Sequence, residues 1–497
     1  MHDLFCVLLF VLFVVVGGTT KNVLFIISDD LRPQLGDYKE LNLGPSFTPN
    51  LDKLAGKSLL MKRAYVQCAL CSPSRTSFLT GRRPDTTHVY DLRHYFRDVG
   101  GNFTTMPQYF KNNGYRSVGM GKIFHPGMHA SHNDDPISWN EFYHLEEDYG
   151  VKAHRSSWRT VSKAERLKDP LVDELVVAQA KKSLNELAKG KQPFFLAVGF
   201  RRPHLPFLFP EEYLADYPTT RIQIPGNDYA PIDMPEIAWN KYMELISYND
   251  IAALNVTGNL NTTLPDQIVK DLRRAYFSSV TFMDAMVGEV LAELMKLNLM
   301  NDTIISFIGD HGYSLGEHGL WGKNTNFEDA VHAPMMVRVP GLTDHGVVTN
   351  KLVEFVDLFP TIVEAAGFPK LPLCPQRSTQ VSLCTEGKSL ISLMSDPDAP
   401  WKQAVFSQYR RRSNVMGYSI KTDRYRYTEW VRFSGAPNYK ADISQVIGRE
   451  LYDHVNDYQE NINLADHHDK VSIVATLRQT LHAGWRPIHF HTDLIGK

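Results

Sequence analysis

The sequence predicts an α/β fold: a large, mostly parallel sheet flanked by helices, followed by a smaller C-terminal α+β domain that carries an antiparallel sheet. Short apolar runs alternate along the chain with longer helical patterns, as in sheets built from parallel strands with crossover helices. These runs are apolar on nearly every residue, which indicates strands buried on both faces. After residue 412 the pattern changes to short, closely spaced strands and one helix.

Length and charge restrict the possible classes of protein. The chain has 497 residues, of which 43% are hydrophobic, so it is too long and too apolar to be disordered. The chain has 53 Lys and Arg residues and 55 Asp and Glu residues. It therefore lacks the basic excess of a nucleic-acid-binding protein. We expect no nucleic-acid partner, and an anionic partner must be bound by a local site.

The N-terminus predicts export. Residues 4–16 form an almost unbroken apolar run that is too short to span a bilayer, so residues 1–18 are predicted to be a secretory signal peptide. An uncleaved anchor stays open, because Met1-His2-Asp3 carries no Lys or Arg. No later apolar stretch approaches 18 residues, and we expect no stable membrane insertion after signal removal. Four Asn-x-Thr sequons agree with export and predict glycosylation at Asn102, Asn255, Asn261 and Asn301.

Two pairs of cysteines remain after the signal peptide. Cys374 and Cys384 flank a short loop, and in an oxidising compartment they are predicted to form a disulfide. Cys68 and Cys71 have the spacing of a Cys-x-x-Cys redox or metal motif. Their surroundings favour another interpretation, given below.

Four strands and two long helices place the polar motifs. The strands are predicted at residues 22–28, 115–120, 193–200 and 303–308, and the helices at residues 171–188 and 266–297. A polar cluster follows each strand, at residues 29–30, 121–125, 201–204 and 309–312. Ligands of parallel sheets bind outside the carboxyl ends of the strands. We therefore expect the four clusters to converge on one site.

Three acidic residues in these clusters predict a metal. Asp29, Asp30 and Asp310 each follow an apolar strand, and three gathered carboxylates repel one another unless a cation neutralises them. Oxygen ligands favour calcium or magnesium over zinc, and an exported protein favours one calcium ion, with His311 as a further ligand. Taken alone, the Asp29-Asp30 pair is equally explained as the cap of a following helix.

The segment Cys71-Ser72-Pro73-Ser74-Arg75 predicts a helix start. Pro73 suits the first turn, so Cys71 is expected beside outward-pointing backbone N–H groups that attract anions. A thiol at such a place has a lowered pKa, and Arg75 is expected to direct two donors at a tetrahedral oxyanion. A structural thiol and a Cys68–Cys71 disulfide remain the alternatives.

These motifs resemble the sulfatase family. The pattern Cys71-x-Pro73-Ser74-Arg75 is similar to the sequence in which a cysteine is oxidised to formylglycine during export, which implies the formylglycine-generating enzyme as a partner. Gly121-Lys122-x-x-His125 is similar to the family's second signature. The resemblance extends from about residue 22 to residue 453, includes Lys323, and implies an alkaline-phosphatase-like sulfatase fold.

Particular segments are similar to the family members that remove the 2-O-sulfate of iduronate. These segments are residues 81–87, 121–127, 202–207 and 416–420. His311 agrees with those members, whereas many sulfatases carry Asn there. Cys68 and the short loop around residues 410–413 depart from the pattern, which puts proteolytic processing at that loop in doubt.

The resemblance implies a role for each site residue. A formylglycine hydrate at position 71 is the nucleophile and shares the metal, and after sulfate is expelled the aldehyde is regenerated. Lys122, Lys323, Arg75 and the cation hold the sulfate oxygens. His204 contacts substrate and protonates the departing sugar oxygen, while His125 takes the proton of the second hydroxyl.

The resulting expectation is a lysosomal or secreted hydrolase of sulfated glycosaminoglycan. It would remove 2-O-sulfate from the non-reducing-end iduronate of heparan or dermatan sulfate. An acidic pH optimum is expected, because an unperturbed histidine has a pKa of about 6.5 and His204 must donate a proton. A phosphomonoesterase or phosphodiesterase of the same superfold would favour Ser or Thr at position 71, and a non-catalytic glycan-binding protein would lack a metal or modification residue.

The domain boundary is predicted between residues 412 and 413. The catalytic domain would span residues 19–412 and the smaller domain residues 413–497. In the latter, strands are predicted at residues 415–421, 425–433 and 450–453, and a helix at residues 470–483.

Overall fold

The computed structural model of the protein describes residues 20–41, 43–127, 131–145, 155–242 and 244–490. The predicted signal peptide lies outside the described residues. In chain order the strands are β1 Asn22–Ser28, β2 Leu59–Tyr65, β3 Arg116–Gly121, β4 Trp158–Val161, β5 Phe194–Phe200, β6 Phe207–Pro210, β7 Thr303–Gly309, β8 Ser314–Leu315, β9 Trp321–Gly322, β10 Met335–Arg338, β11 Val347–Glu354, β12 Ala404–Arg411, β13 Val415–Thr422, β14 Tyr425–Ser434 and β15 Lys440–Asp453.

The α-helices alternate with the strands in the first two thirds of the chain. They are α1 Pro49–Ala55, α2 Cys71–Thr80, α3 Pro84–Thr87, α4 Phe96–Val99, α5 Met106–Asn112, α6 Lys163–Arg166, α7 Val172–Leu187, α8 Asn249–Ala252, α9 Asp266–Lys296, α10 Glu328–Val331, α11 Leu358–Ala365, α12 Ile391–Ser395, α13 Val471–Ala483 and α14 Trp485–Phe490. The two long helices predicted from the sequence, α7 and α9, lie within one residue of their expected bounds.

A seven-stranded sheet forms the centre of the molecule. Its strand order is β11-β2-β10-β7-β1-β5-β3, and β10 runs antiparallel to both of its neighbours while the other pairs are parallel. This confirms the predicted large, mostly parallel sheet. The order places β1 in the interior, which explains why its residues are apolar on both faces.

The central strand β1 separates two hydrophobic cores. Leu24 and Ile26 belong to the core that includes α7 and α9, whereas Val23, Phe25 and Ile27 belong to the core that includes α2, α5 and α11. Successive side chains of a strand point to opposite faces. The continuous apolar run of β1 therefore packs against helices on both faces of the sheet, as predicted.

The carboxyl ends of the four predicted strands are level. Ser28, the last residue of β1, pairs with Phe200 at the end of β5 and with Gly309 at the end of β7. On the other side of β5, Gly121 at the end of β3 pairs with Gly199. The polar clusters that follow these strands therefore begin at one edge of the sheet, and this register positions the site.

A four-stranded antiparallel sheet, in the order β12-β13-β14-β15, forms the C-terminal part. Its core contains Ala404, Ile420, Tyr427, Leu451 and Leu477, the last contributed by α13. Strand β12 precedes the expected boundary, which falls in the turn between β12 and β13. Strand β15 begins ten residues before the predicted strand at 450–453. The prediction missed the first half of β15 because its residues are largely exposed and carry no apolar pattern.

Other sequence predictions can be located on the fold. Cys374 and Cys384 form a disulfide, whereas Cys68 and Cys71 are free and buried, which excludes a Cys68–Cys71 disulfide. The four sequon asparagines are exposed, and glycosylation there stays a prediction. In the described part of the chain, no helix combines the length and the apolarity needed to cross a membrane.

Candidate active site

Three buried carboxylates lie together at the level strand ends. Asp29, Asp30 and Asp310 are fully buried, and each offers an oxygen within 4.8 Å of the oxygens of the other two. The backbone N–H of Asp30 donates to Asp310 Oδ1 at 2.9 Å, and Asp30 has a left-handed backbone with φ of 59°. The three carboxylates predicted to bind a metal therefore form one cluster.

Three basic side chains surround the carboxylates and balance their charge. Lys122 Nζ lies 2.5 Å from Asp29 Oδ2, and Lys323 Nζ donates to both oxygens of Asp30 at 2.7 Å. Although burial acts to raise it, the pKa of Asp29 is lowered well below its usual value, mainly by the charge of Lys122. Burial raises the pKa of Asp30 to about 8, Lys323 opposes this rise, and the neighbouring acids add to it.

Arg75, the third basic residue, contacts protein atoms rather than an open anion site. Its guanidinium donates to Asp310 Oδ2 at 2.9 Å, to Asp29 Oδ1 at 3.0 Å and to the backbone carbonyls of Lys122 and Ile123. The side chain is fully buried. This differs from the expected fork of donors toward sulfate: Arg75 holds the carboxylates and the Lys122 loop in place.

Cys71 is the first residue of α2, as predicted, and every residue of that helix is buried. Its Sγ lies 3.6 Å from Asp29 Oδ1 and 3.4 Å from His311 Nε2. The expected lowering of the thiol pKa is wrong. Burial raises the pKa of Cys71 far above its ordinary value, and Lys122 and Lys323 offset only part of that rise.

Three histidines of the site share one orientation. Nδ1 of His125, His204 and His311 each hydrogen-bonds the backbone carbonyl of the following residue, at 2.9, 2.6 and 2.9 Å. A carbonyl only accepts, so Nδ1 carries the proton and Nε2 is the free nitrogen. Nε2 of His204 lies 3.8 Å from Asp30 Oδ2, and Nε2 of His311 lies 3.5 Å from Asp30 Oδ1.

The local environment lowers the pKa values of the His204 and His125 imidazoles. Burial lowers the pKa of His204 well below 6.5, and the charge of Lys323 adds to this effect. Burial together with the charge of Lys122 lowers the pKa of His125 to about 3, although Asp29 opposes the change. The unperturbed value assumed for His204 in the sequence analysis is therefore wrong.

The donor set fits a hard divalent cation. Asp30, Cys71 and His311 also offer atoms within 4.8 Å of one another, so residue 71 and one imidazole adjoin the three carboxylates. Burial, together with the neighbouring acids, raises the pKa of Asp30. A cation among these oxygens would favour the ionised carboxylates and would free Lys122 and Lys323 to meet an anionic ligand.

Three contributors to the site were missed in the sequence. Tyr276 in α9 donates its hydroxyl to the carbonyl of Asp30. Asp173 in α7 accepts the backbone N–H groups of Arg201 and Arg202, next to His204. Glu244 lies 3.7 Å from both His204 Nδ1 and Lys323 Nζ. Asp173 gave no signal of a site, because an acid in the first turn of a helix is common. Tyr276 and Glu244 have no sequence motif around them.

Comparisons with known proteins agree with the geometry. The family model described as "Sulfatase" matches residues 21–368, and the model described as "N-sulphoglucosamine sulphohydrolase, C-terminal" matches residues 316–485. Iduronate 2-sulfatases of Mus musculus and Homo sapiens are each 38% identical over 491 residues, which covers 87% of this chain and 88% of each relative.

A solved structure of related shape extends the comparison of the fold. Phosphonate monoester hydrolase from Silicibacter pomeroyi superposes with a TM-score of 0.70 at 21% identity, covering 95% of this chain and 96% of that chain. At this identity the likeness shows the fold alone. With the family match over most of the chain and the alkaline-phosphatase-like fold, the chain belongs to the sulfatase family and is a sulfatase enzyme.

Proposed function

We propose that the protein hydrolyses the 2-O-sulfate ester on the non-reducing-end iduronate of heparan sulfate and dermatan sulfate. The observation that carries this proposal is the 38% identity to two iduronate 2-sulfatases over 87% of the chain. The segments 121–127 and 202–207, which suggested the same substrate, contribute Lys122, His125 and His204 to the site.

The nucleophile in this proposal derives from residue 71. The formylglycine-generating enzyme would oxidise Cys71 during export, and the resulting aldehyde, as its hydrate, supplies a hydroxyl that attacks sulfur. One calcium ion supplies positive charge at this hydroxyl. Its ligands would be residue 71, Asp29, Asp30, Asp310 and His311, whose atoms form the cluster described above.

The other residues bind sulfate and move protons. Lys122 and Lys323 extend ammonium groups into the cluster and would hold sulfate oxygens. Nε2 of His204 faces the carboxylates; it carries no proton in the neutral ring, so it would first take one up and then donate it to the departing sugar oxygen. Nε2 of His125 would accept the proton of the remaining hydroxyl. Arg75 holds Asp29 and Asp310 rather than the substrate.

The cellular setting belongs to the same proposal. We place the enzyme in the secretory pathway, with the lysosome as its destination or release from the cell as the alternative. Residues 19–412 would form the catalytic domain and residues 413–497 the smaller domain, with glycans on the four exposed sequon asparagines.

A panel of sulfated disaccharides tests the proposed substrate. Protein from a secretory host would be incubated with substrates bearing iduronate 2-O-sulfate, glucosamine 6-O-sulfate or glucosamine N-sulfate, and released sulfate would be measured from pH 4 to pH 8. We expect the highest kcat/KM for iduronate 2-O-sulfate, with the Cys71→Ala variant as the inactive control. Preference for either glucosamine sulfate would refute the proposed substrate and leave the family assignment intact.

A further inference from the structure

The carboxylate of Glu244 lies at the edge of the site and accepts no hydrogen bond from the part of the chain that the structure describes. Oε1 lies 3.7 Å from His204 Nδ1, and Oε2 lies 3.7 Å from Lys323 Nζ. Both distances exceed that of a hydrogen bond, and no described residue donates a hydrogen bond to this side chain. The side chain is 40% exposed, so its oxygens are open to a molecule that enters the site.

Glu244 lies between opposite charges, because the ammonium group of Lys323 attracts its carboxylate and the carboxylate of Asp30 repels it. A Glu244 oxygen lies within 4.8 Å of an oxygen of Asp30, and a sulfate group held by Lys323 would bring a further negative charge close to it. Like charges at such distances repel. When Lys323 is engaged by sulfate, Glu244 would therefore need a favourable contact with some other part of the substrate.

Sugar hydroxyl groups provide such a contact. An ionised carboxylate only accepts hydrogen bonds, and hydroxyl groups are the donors that a sulfated sugar presents. In the proposed function, Lys323 holds the sulfate and His204 faces the ester oxygen. Because Glu244 adjoins both residues, it would lie beside the carbon that bears the ester. The hydroxyl on the next carbon of the ring would then be the nearest sugar hydroxyl.

We propose that Glu244 accepts a hydrogen bond from the hydroxyl on the sugar carbon next to the sulfated carbon. It thereby selects substrates in which this hydroxyl is present and free. This inference rests on the proposed function, because it takes the sulfate and ester positions from Lys323 and His204. A substrate without the hydroxyl leaves the carboxylate unpaired, and a substrate sulfated there brings two anions together.

The test removes the two partners separately. The substrates are a disaccharide with non-reducing-end iduronate 2-O-sulfate and its 3-deoxy counterpart, in which hydrogen replaces the neighbouring hydroxyl. The enzymes are wild type, Glu244→Ala and Glu244→Gln, with Glu236→Ala as a matched control because Glu236 is an exposed acid eight residues away. The readout is the ratio of kcat/KM for the two substrates, which a purely structural role would not change.

We expect wild type to favour the hydroxyl-bearing substrate by about tenfold to a hundredfold, the range for a hydrogen bond to a charged group. In Glu244→Ala the ratio should fall toward one. Glu244→Gln should give an intermediate ratio, because the amide oxygen still accepts a hydrogen bond but lacks the charge. Glu236→Ala should keep the wild-type ratio and rates.

Two results would overturn the inference. If Glu244→Ala lowers or raises kcat/KM for both disaccharides by the same factor, Glu244 acts through the fold or through general repulsion of anions. If wild type does not distinguish the two disaccharides, no such hydrogen bond contributes. A wild-type enzyme that cleaves a simple aryl sulfate but neither disaccharide would instead show that the proposed substrate is wrong, and the inference would fall with it.

Discussion

The thiol of Cys71 lies in an environment that makes a free cysteine a poor nucleophile. Burial raises its pKa, so at neutral or acidic pH it is protonated and a poor nucleophile. It nevertheless lies 3.6 Å from Asp29 Oδ1 and beside the imidazole of His311. The hydroxyl of a formylglycine hydrate at this position would have the same neighbours, which is the basis of the first prediction.

The first prediction is that protein made in a secretory host carries formylglycine at position 71. Peptide mass spectrometry should find the lower mass expected when an aldehyde replaces the thiol. Cys71→Ala should abolish sulfatase activity and change the free energy of unfolding by less than about 2 kcal/mol, because the side chain is small. Fully active enzyme with unmodified cysteine would contradict this prediction.

The second prediction concerns Asp310 and the metal. Asp310→Asn removes one of three clustered negative charges and should weaken calcium binding, measured by calorimetry on chelator-treated protein. It should also leave Arg75 with one charged partner fewer. The matched control is Asp302→Asn, an exposed acid just before β7, which should bind calcium like wild type. Full activity after exhaustive chelation would exclude a required metal.

At the scale of elements, helix α1 depends on a residue from another helix. The side chain of Thr48, which precedes α1, makes no capping hydrogen bond. Instead Asp284 in α9 accepts the backbone N–H groups of Asn50 and Leu51 at 3.2 and 2.8 Å. A carboxylate at a helix N-terminus satisfies donors that lack partners within the helix. The packing of α9 thus fixes the start of α1.

The third prediction is that Asp284→Ala lowers the free energy of unfolding by about 1–2 kcal/mol, as the loss of a helix cap does. Burial raises the pKa of Asp284 to about 6, so its proton is bound more tightly in the folded state. That contribution is present at low pH and is lost as pH rises through 6. The difference between wild type and variant should therefore be about 1 kcal/mol larger at pH 5 than at pH 7.

Denaturant unfolding at both pH values measures this effect. Glu289→Ala, an exposed substitution in α9, serves as the control and should show little dependence on pH, because surface ion pairs contribute little. A difference that shrinks at pH 5 would contradict the assignment of the proton to Asp284.

Sequence patterns predicted the elements that carry a repeated signal. The strands β1, β5 and β7 were found within one residue because nearly every residue in them is apolar. Their shared direction then predicted that Asp29, Asp310 and the clusters after β3 and β5 would meet. The first half of β15 was missed because its exposed polar residues show no alternation of apolar and polar positions.

Single contributors from distant segments could not be predicted. Glu244 and Tyr276 reach the site because of how their loop and helix pack, and neither has a motif around it. Arg75 was found, but its partners were not, because the direction of a guanidinium depends on carboxylates that are far away in sequence.

At the scale of the whole molecule, the C-terminal sheet supports two active-site loops. In β12, Ser407 Oγ donates to the carbonyl of Val66, and Tyr409 OH accepts from Asn324 Nδ2 at 2.7 Å. Arg411 donates to the carbonyls of Asn324 and Ala238. Residue 66 lies ahead of Cys71, and Asn324 follows Lys323. One strand therefore contacts the loops that present both residues.

The fourth prediction is that Arg411→Met lowers kcat/KM without disrupting the fold. Arg411 is buried, and its described hydrogen bonds go to neutral oxygens. Methionine keeps the apolar stem but loses these bonds, so the loop of Lys323 should lose its fixed position. We expect about a tenfold loss of kcat/KM, equivalent to about 1.4 kcal/mol.

The matched control for this variant is Arg432→Met in β14, where the arginine is exposed; its kcat/KM should equal that of wild type. Circular dichroism and thermal unfolding would verify that both variants fold. Wild-type kinetics for folded Arg411→Met would show that β12 does not support the loop.

The hydrogen bond between His125 Nδ1 and the carbonyl of Pro126 leaves Nε2 as the ring nitrogen that can exchange a proton. A backbone carbonyl holds the Nδ1 proton but does not carry it away, so this ring cannot pass protons from one nitrogen to the other. In the proposed function, a proton taken up at Nε2 of His125 must therefore leave from the same nitrogen. The base would be ready for the next turnover only after that proton has left by the side on which it arrived.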